Sequence, residues 1–394
     1  MLALLLLACS PSVTCGPGTV LDGTTCVIAA AAADSAGDTG DDTASTDSAA
    51  DTDTPLDTSD TAPDSGGDTD DTSPPADDGW PARAFAPYVD ATAYPTVRIG
   101  EIPSENGTTH YTLAFVVAAD GTTCTATWGT YYSIEDGPSA WAGGAEYTLY
   151  AQVDLLRARG GDVRVSFGGA ANTPLEAACT SVEALVGELE RVIDRLGLTR
   201  IDFDIEGPWV VDEVASARRG QALAALQARR PELRIGYTLP VLPSGLTPEG
   251  VRVVERAVAD GVVLDSINVM TMDYGAGAAP DPAGRMGAYG IDALTALHAQ
   301  LDTIYGGSLS DAELWARIGT TPMIGQNDVA GEVFTLDDAE ETLAFARAQG
   351  LGLLSMWSIN RDHPCAEVTA WAQPGCNGLV DVEDWAYARV FAAY

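Results

Sequence analysis

The chain has 394 residues and a formal net charge of −37, from 57 Asp and Glu against 20 basic residues, every one of them arginine. That balance argues against nucleic acid as a partner, because phosphate recognition needs clustered positive charge. A neutral substrate suits such a surface better, while simple solubility or adaptation to salt also accounts for the acidity.

In chain order, Met1 to Ala8 is an apolar run that ends in Leu6-Leu7-Ala8-Cys9-Ser10. This string resembles the lipobox of bacterial lipoproteins, where the cysteine is lipidated after cleavage, so residues 1–9 read as a signal segment and Cys9 as the lipidation candidate. The run is too short to span a bilayer. It lacks a basic leader, so a start further upstream and an accidental match stay open. The expected address is an exported protein, either secreted or held at a membrane only through lipid.

Residues 10–33 form a small segment containing Cys15 and Cys26. Residues 34–79 are almost wholly Asp, Thr, Ser, Gly, Ala and Pro, and no positive residue precedes Arg83. With so little to bury and so much like charge, that stretch is expected to be a disordered, extended linker. Residues 80–394 are the folded part. Setting Cys9 aside leaves Cys15, Cys26, Cys124, Cys179, Cys365 and Cys376, an even number that suggests three disulfides in an exported protein. Pairing does not follow from sequence, and buried free thiols are the alternative.

From Phe85 onward apolar runs alternate with helix-like stretches. The runs are 85–90, 111–118, 163–168, 200–206, 234–239, 266–272, 318–325 and 351–358; helical spacing fills 182–196, 221–229, 250–260, 291–305 and 336–349. Continuous apolar strands between helices imply a parallel sheet covered on both faces, and eight of them imply an α/β fold of the (β/α)8 TIM-barrel type. In that architecture reacting groups sit at the C-terminal strand ends. Those ends are polar or small: Asp90, Ser166 to Gly169, Asp204 to Glu206, Asp273 to Gly275, Gln326 to Asp328 and Trp357-Ser358.

The fourth run, Ile201-Asp202-Phe203-Asp204-Ile205-Glu206, places three carboxylates at alternate positions, hence on one face of a strand. Burying carboxylates is costly unless they are paired, which favours chemistry over architecture; an exposed edge strand or a cation site is the plainer alternative. Asp204 and Glu206 are about 6.6 Å apart by strand rise and project the same way, so they do not straddle a sugar ring as a conventional glycosidase pair does. Asp204 is better placed to keep a proton available on Glu206. His110, His298 and His363 are scattered without metal-ligand spacing, and there is neither a nucleophile elbow nor a phosphate-binding loop, so no metal or cofactor is expected.

These motifs together resemble glycoside hydrolase family 18, the chitinases, over roughly residues 84–363. The family's Asp-Gly-x-Asp-x-Asp-x-Glu signature is matched in its last three acids by Asp202, Asp204 and Glu206. Its Ser-x-Gly-Gly pattern stands as Ser166-Phe167-Gly168-Gly169, its Met-x-Tyr-Asp as Met270-Thr271-Met272-Asp273, and its closing tryptophan as Trp357. The chain looks closest to the bacterial and archaeal branch. The resemblance implies retaining, substrate-assisted hydrolysis of β-1,4 bonds in N-acetylglucosamine polymers by a single chain: the acetamido oxygen attacks its own C1, Glu206 acts as acid and then base, Asp204 orients the acetamido group, and Asp202 shares charge with Asp204. Trp357 is the implied sugar floor, with a purely structural indole as the alternative. Asp273 and Gln326 are further polar candidates. The signature's first Asp-Gly is here Thr199-Arg200, and the family tyrosine is Met272, whose thioether donates no hydrogen bond. Tyr274, two positions on, is expected to supply that hydroxyl. A glycan-binding barrel without activity, and action on N-glycans or peptidoglycan, are the competing readings.

Overall fold

A computed structural model of the chain describes residues 19–22, 25–28 and 78–394, apart from 143 and 144. Cys9, Cys15 and residues 34–77 of the acidic segment lie outside the described residues. The N-terminal unit contributes a short antiparallel hairpin, Thr19–Asp22 with Thr25–Ile28.

The second unit is the barrel. Its strands are β1 (Ala84–Phe85 and, past Pro87, Tyr88–Asp90), β2 (His110–Ala118), β3 (Asp162–Gly168), β4 (Arg200–Asp204), β5 (Arg234–Pro240), β6 (Leu264–Met270), β7 (Ile318–Thr321) and β8 (Leu353–Leu354). From β2 to β8 each strand pairs in parallel with the next. The two pieces of β1 close the ring: the first pairs with β8 and the second with β2. The expected eight runs therefore become eight strands in sequential order.

Helices wrap the outside: α1 (Leu149–Arg157), α2 (Val182–Leu196), α3 (Glu213–Arg229), α4 (Pro248–Ala259), α5 (Met286–Ile304), α6 (Asp311–Arg317), α7 (Leu336–Gln349) and α8 (Ala386–Phe391). Where local signals are strong, the bounds agree with expectation. Ser181 caps α2 by accepting the Ala184 amide, and Gly197 ends it at φ 60°. Thr335 and Asp338 form a capping box on α7, and Gly350 closes it at φ 79°. By contrast α3 begins well before Gln221, at Glu213 behind the cap Asp212. Its first turns are rich in Ala, Ser and Arg, which weakens the apolar stripe that periodicity detects.

The strand faces are sorted as alternation requires. Ile201, Phe203 and Ile205 lie in the apolar layer between sheet and helices, where Phe203 stacks on Phe167 at 5.2 Å between ring centroids. Asp202 and Asp204, from the other face, enter the barrel lumen beside Ser166 and Thr238, their neighbours across the register. The lumen is unusually polar. Arg164 donates to Thr112 at 2.8 Å, and Asn268 donates to Thr238 at 3.0 Å and to Thr321 at 2.7 Å, all fully or nearly fully buried. Such a network is stable only when its members are satisfied, so it sets the strand register more strictly than apolar packing does.

Among the described residues two disulfides are present. Cys124–Cys179 ties the loop after β2 to the short helix Leu175–Ala178 after β3, and Cys365–Cys376 closes the loop that follows β8. At the other boundary Asp78 pairs with Arg200 at 2.7 Å, so the last two positions of the segment read as linker, 78 and 79, are described together with the barrel. Among the described residues no helix is long and apolar enough to cross a membrane.

Candidate active site

A pocket of about 190 Å³ opens at the C-terminal strand ends. Four carboxylates line it: Asp204 from the tip of β4, Glu206 two residues further, Asp273 after β6 and Asp328 after β7. Its apolar wall is made by Trp357, Phe115, Met270, Met272 and Met323. Trp357 stacks on Phe115 with centroids 5.6 Å apart and planes 18° from parallel, giving a flat aromatic floor. The peptides Ala114–Phe115 and Trp357–Ser358 are both cis.

The three acids of the fourth run occupy three different environments. Asp202 is completely buried and fully partnered. It accepts from Ser166 Oγ at 2.7 Å, Tyr88 Oη at 2.9 Å and Thr238 Oγ1 at 3.0 Å, and lies 3.7 Å from the Arg164 guanidinium. Asp204 is also buried, but its Oδ1 has no hydrogen-bond partner among the described residues. Burial first, then the charges of Glu206 and Asp202, push its pKa well above the usual carboxylate range, against a smaller opposing pull from Arg164. Glu206 is half-buried just beyond the strand, where burial and then Asp273 raise its pKa to about 7. Asp204 and Glu206 thus hold a proton between them near neutrality.

Backbone geometry fixes this cluster. A Cβ on Gly168 would lie 2.2 Å from the Asp204 carbonyl oxygen, and its φ of +103° is a glycine conformation. The next amide, Gly169 N, donates to that same oxygen at 3.0 Å. Gly168 therefore lets β3 and β4 close tightly beneath Asp204 and does not itself line the pocket. Ser166 likewise serves Asp202 from within the lumen.

Two candidates are corrected. Tyr274 does not reach the pocket: β6 ends at Met270, Asp273 adopts a positive φ of 52°, and the alternation that would have put Tyr274 beside Met272 is broken. Its backbone amide donates to Glu332 at 3.0 Å, while its ring packs edge-on to Tyr289. Gln326 is also withdrawn, its side-chain amide donating to the Asn327 carbonyl at 2.9 Å and the Val329 carbonyl at 3.2 Å. Met272 itself faces the pocket. Burial raises the pKa of Asp273, and the Val329 amide donating to its Oδ1 at 2.9 Å works against that rise.

Sequence reasoning passed over Tyr88, Phe115 and Asp328. Tyr88 carries a hydroxyl within an otherwise apolar first run, a usable signal that the strand's inner face is polar. Phe115 lies in a run apolar on both faces, where alternation carries no information. Asp328 sat in a strand-end string without being singled out.

No family model matches the chain. It is 39% identical over 325 residues to a probable bifunctional chitinase/lysozyme of Escherichia coli K12, covering 80% of this chain and 35% of that protein. It is 41% identical over 296 residues to endochitinase 11 of Metarhizium anisopliae, covering 73% and 54%. The chain thus spans between a third and a little over half of the length of these curated relatives. Among solved structures, active domain 2 of the thermostable chitinase of Pyrococcus furiosus, complexed with chito-oligosaccharides, superposes with a TM-score of 0.69 at 31% identity, over 80% of this chain and 95% of that one. With a closed eight-stranded barrel, the Asp202–Asp204–Glu206 array at its fourth strand and these relatives, the chain belongs to glycoside hydrolase family 18, the chitinase family.

Proposed function

We propose that the barrel hydrolyses β-1,4 bonds in N-acetylglucosamine polymers with retention of configuration, using the substrate's own acetamido group as nucleophile. The observation that carries this reading is the unpartnered, buried Oδ1 of Asp204 beside a glutamic acid that keeps its proton to about pH 7. A buried acceptor without a donor costs about 1–3 kcal/mol, and an acetamido N–H entering the pocket relieves that cost. Glu206 then gives its proton to the leaving glycosidic oxygen as the C1–O bond breaks and the acetamido oxygen closes on C1. Water attacks C1 next, breaking the C1–acetamido oxygen bond and giving its proton back to Glu206, so that the acetamido group is restored. Asp204 holds the nitrogen that becomes positive, and the Trp357–Phe115 floor carries the sugar face.

The chitinase names of the relatives and the chito-oligosaccharide complex support this substrate class. The chitinase/lysozyme relative favours peptidoglycan as a second substrate, since it offers the same acetamido group. Product analysis by NMR on chitin oligosaccharides and on peptidoglycan tests both readings. Initial β-anomer is the expected product, and an initial α-anomer refutes substrate assistance; binding without release of product means a glycan-binding barrel instead.

We also read the chain as exported, lipidated at Cys9 and acting as a monomer. The two disulfides of the barrel fit an oxidising compartment. Metabolic labelling with a radioactive fatty acid, lost in Cys9→Ser, and the mass of the purified chain in solution are the checks.

A further inference from the structure

A second and larger cavity, about 670 Å³, opens at the opposite end of the barrel, framed by the N-terminal ends of β4, β5, β6 and β8. Arg164, Arg200, Arg234 and Arg317 line it, and among the described residues Asp265 is the only carboxylate that does. In a chain with 20 arginines and a net charge of −37, that concentration is the reverse of the general surface.

The charges there are incompletely matched. Arg200 is engaged by Asp78 at 2.7 Å and Asp265 at 3.1 Å. Arg234 reaches the same Asp265 only at 3.8 Å. Arg317 donates to the Glu313 carbonyl at 3.2 Å and has no carboxylate within ion-pair distance among the described residues. Arg164 is the most telling. Its side chain is 5% exposed, its Nε is used by Thr112 and its Nη1 lies 3.7 Å from Asp202, yet its Nη2 has no partner among the described residues. A guanidinium cannot shed its charge to escape burial, so an unpaired N–H on it demands an acceptor. Gly236 packs closely against this group: a Cβ there would stand 2.5 Å from Ser266 Oγ, 3.2 Å from Asp202 Oδ1 and 3.3 Å from Arg164 Nη1.

We propose that this mouth is a binding site for a phosphate-type oxyanion, free or as the phosphoryl group of a small metabolite. Arg164 contacts it from the lumen, Arg234 and Arg317 from the rim, and Ser266 offers a hydroxyl donor. Arginine forks match oxyanion geometry and give the stronger, charge-assisted hydrogen bonds. The site is separate from the acid pocket and does not depend on the activity proposed above.

The test uses the full chain at low ionic strength, titrated calorimetrically with inorganic phosphate and, in a parallel arm, with a sugar 6-phosphate. One saturable site with a Kd of about 1 mM or tighter for either probe is expected. Tighter binding of the sugar phosphate identifies a metabolite site, and equal or tighter binding of phosphate identifies the free ion. R234Q combined with R317Q should weaken binding at least tenfold, with hydrolysis in the absence of anion and thermal stability unchanged. The same change at Arg252, an exposed arginine on α4, should leave affinity as it was. Absence of saturation with both probes up to about 20 mM, or equal affinity in the double variant, overturns the proposal.

Discussion

Among the described residues, four carboxylates and no arginine line the pocket at the C-terminal mouth of the barrel, whereas at the N-terminal mouth four arginines line a cavity with one lining carboxylate, Asp265, and Asp78 pairs with Arg200 beside it. The two ends relieve like-charge crowding by different means. Carboxylic acids do so by keeping a proton: the pKa values of Asp204, Glu206 and Asp273 are raised by burial first and by neighbouring carboxylates after it. Guanidinium groups do not titrate in the accessible range, so crowding among them is relieved only by an anion. One end therefore stores protons, as general acid catalysis requires, and the other stores attraction for a ligand. Arg164 and Asp202 meet in the lumen between them.

The change expected to have the largest effect removes the proton store. Glu206→Gln should lower kcat by about 10²- to 10⁴-fold while oligosaccharide affinity stays nearly intact, as read by steady-state kinetics beside calorimetry. Undiminished turnover would move the acid to Asp273 or Asp328. The next change cuts the link between the mouths. Arg164→Met leaves Asp202 buried with its hydroxyl donors but without a counter-charge, at a cost of about 3 kcal/mol, near the lower end for a broken buried pair because the separation is 3.7 Å. Urea unfolding with an unchanged m-value is the measure; a loss below 0.5 kcal/mol, roughly that of a surface substitution, would mean that the lumen hydroxyls alone support the carboxylate. At the pocket wall, Trp357→Ala should raise KM about tenfold with a smaller change in kcat, since the indole offers a face to the sugar and takes no part in proton transfer. Unchanged KM would make Trp357 a packing residue only.

The same contrast explains what the sequence made legible. Alternating acids on a strand announce themselves because few structural needs put three carboxylates at every second position, and the (β/α)8 order follows from eight apolar runs. Inside the pocket, legibility fails wherever the chain leaves regular structure. Tyr274 was placed by extending strand alternation past Met270, and one left-handed residue, Asp273, sends it into the core. Gln326 sat at a polar strand end but spends its amide on its own loop. Those outcomes depend on backbone torsions and on which carbonyls lack donors, neither of which composition or periodicity encodes. The basic mouth was hidden for another reason: Arg164, Arg200, Arg234 and Arg317 are far apart in sequence, and only closure of the barrel brings them to one cavity.

The smallest expected effect is the finest test of how the acidic mouth works. Glu206 has its pKa raised from the ordinary 4.5 to about 7, so the folded chain holds this proton more tightly than the unfolded chain does. The stability this contributes is complete below about pH 4.5 and is lost as pH rises through about 7, and Asp204 acts in the same direction. Thermal midpoints followed across that range should fall with pH in the parent chain and fall less steeply in Glu206→Gln. Activity should decline along an alkaline limb centred near pH 7 as the acid form is lost. Asp273 is the charged neighbour that helps hold the proton on Glu206, after burial. Asp273→Asn keeps the oxygen that accepts the Val329 amide but removes the charge. It should move the alkaline limb to lower pH, costing less than about tenfold in rate at pH 7, with the acid-side rate unaltered. A limb that stays in place would show that burial alone sets the proton affinity of Glu206, and that Asp273 faces the substrate without tuning the acid.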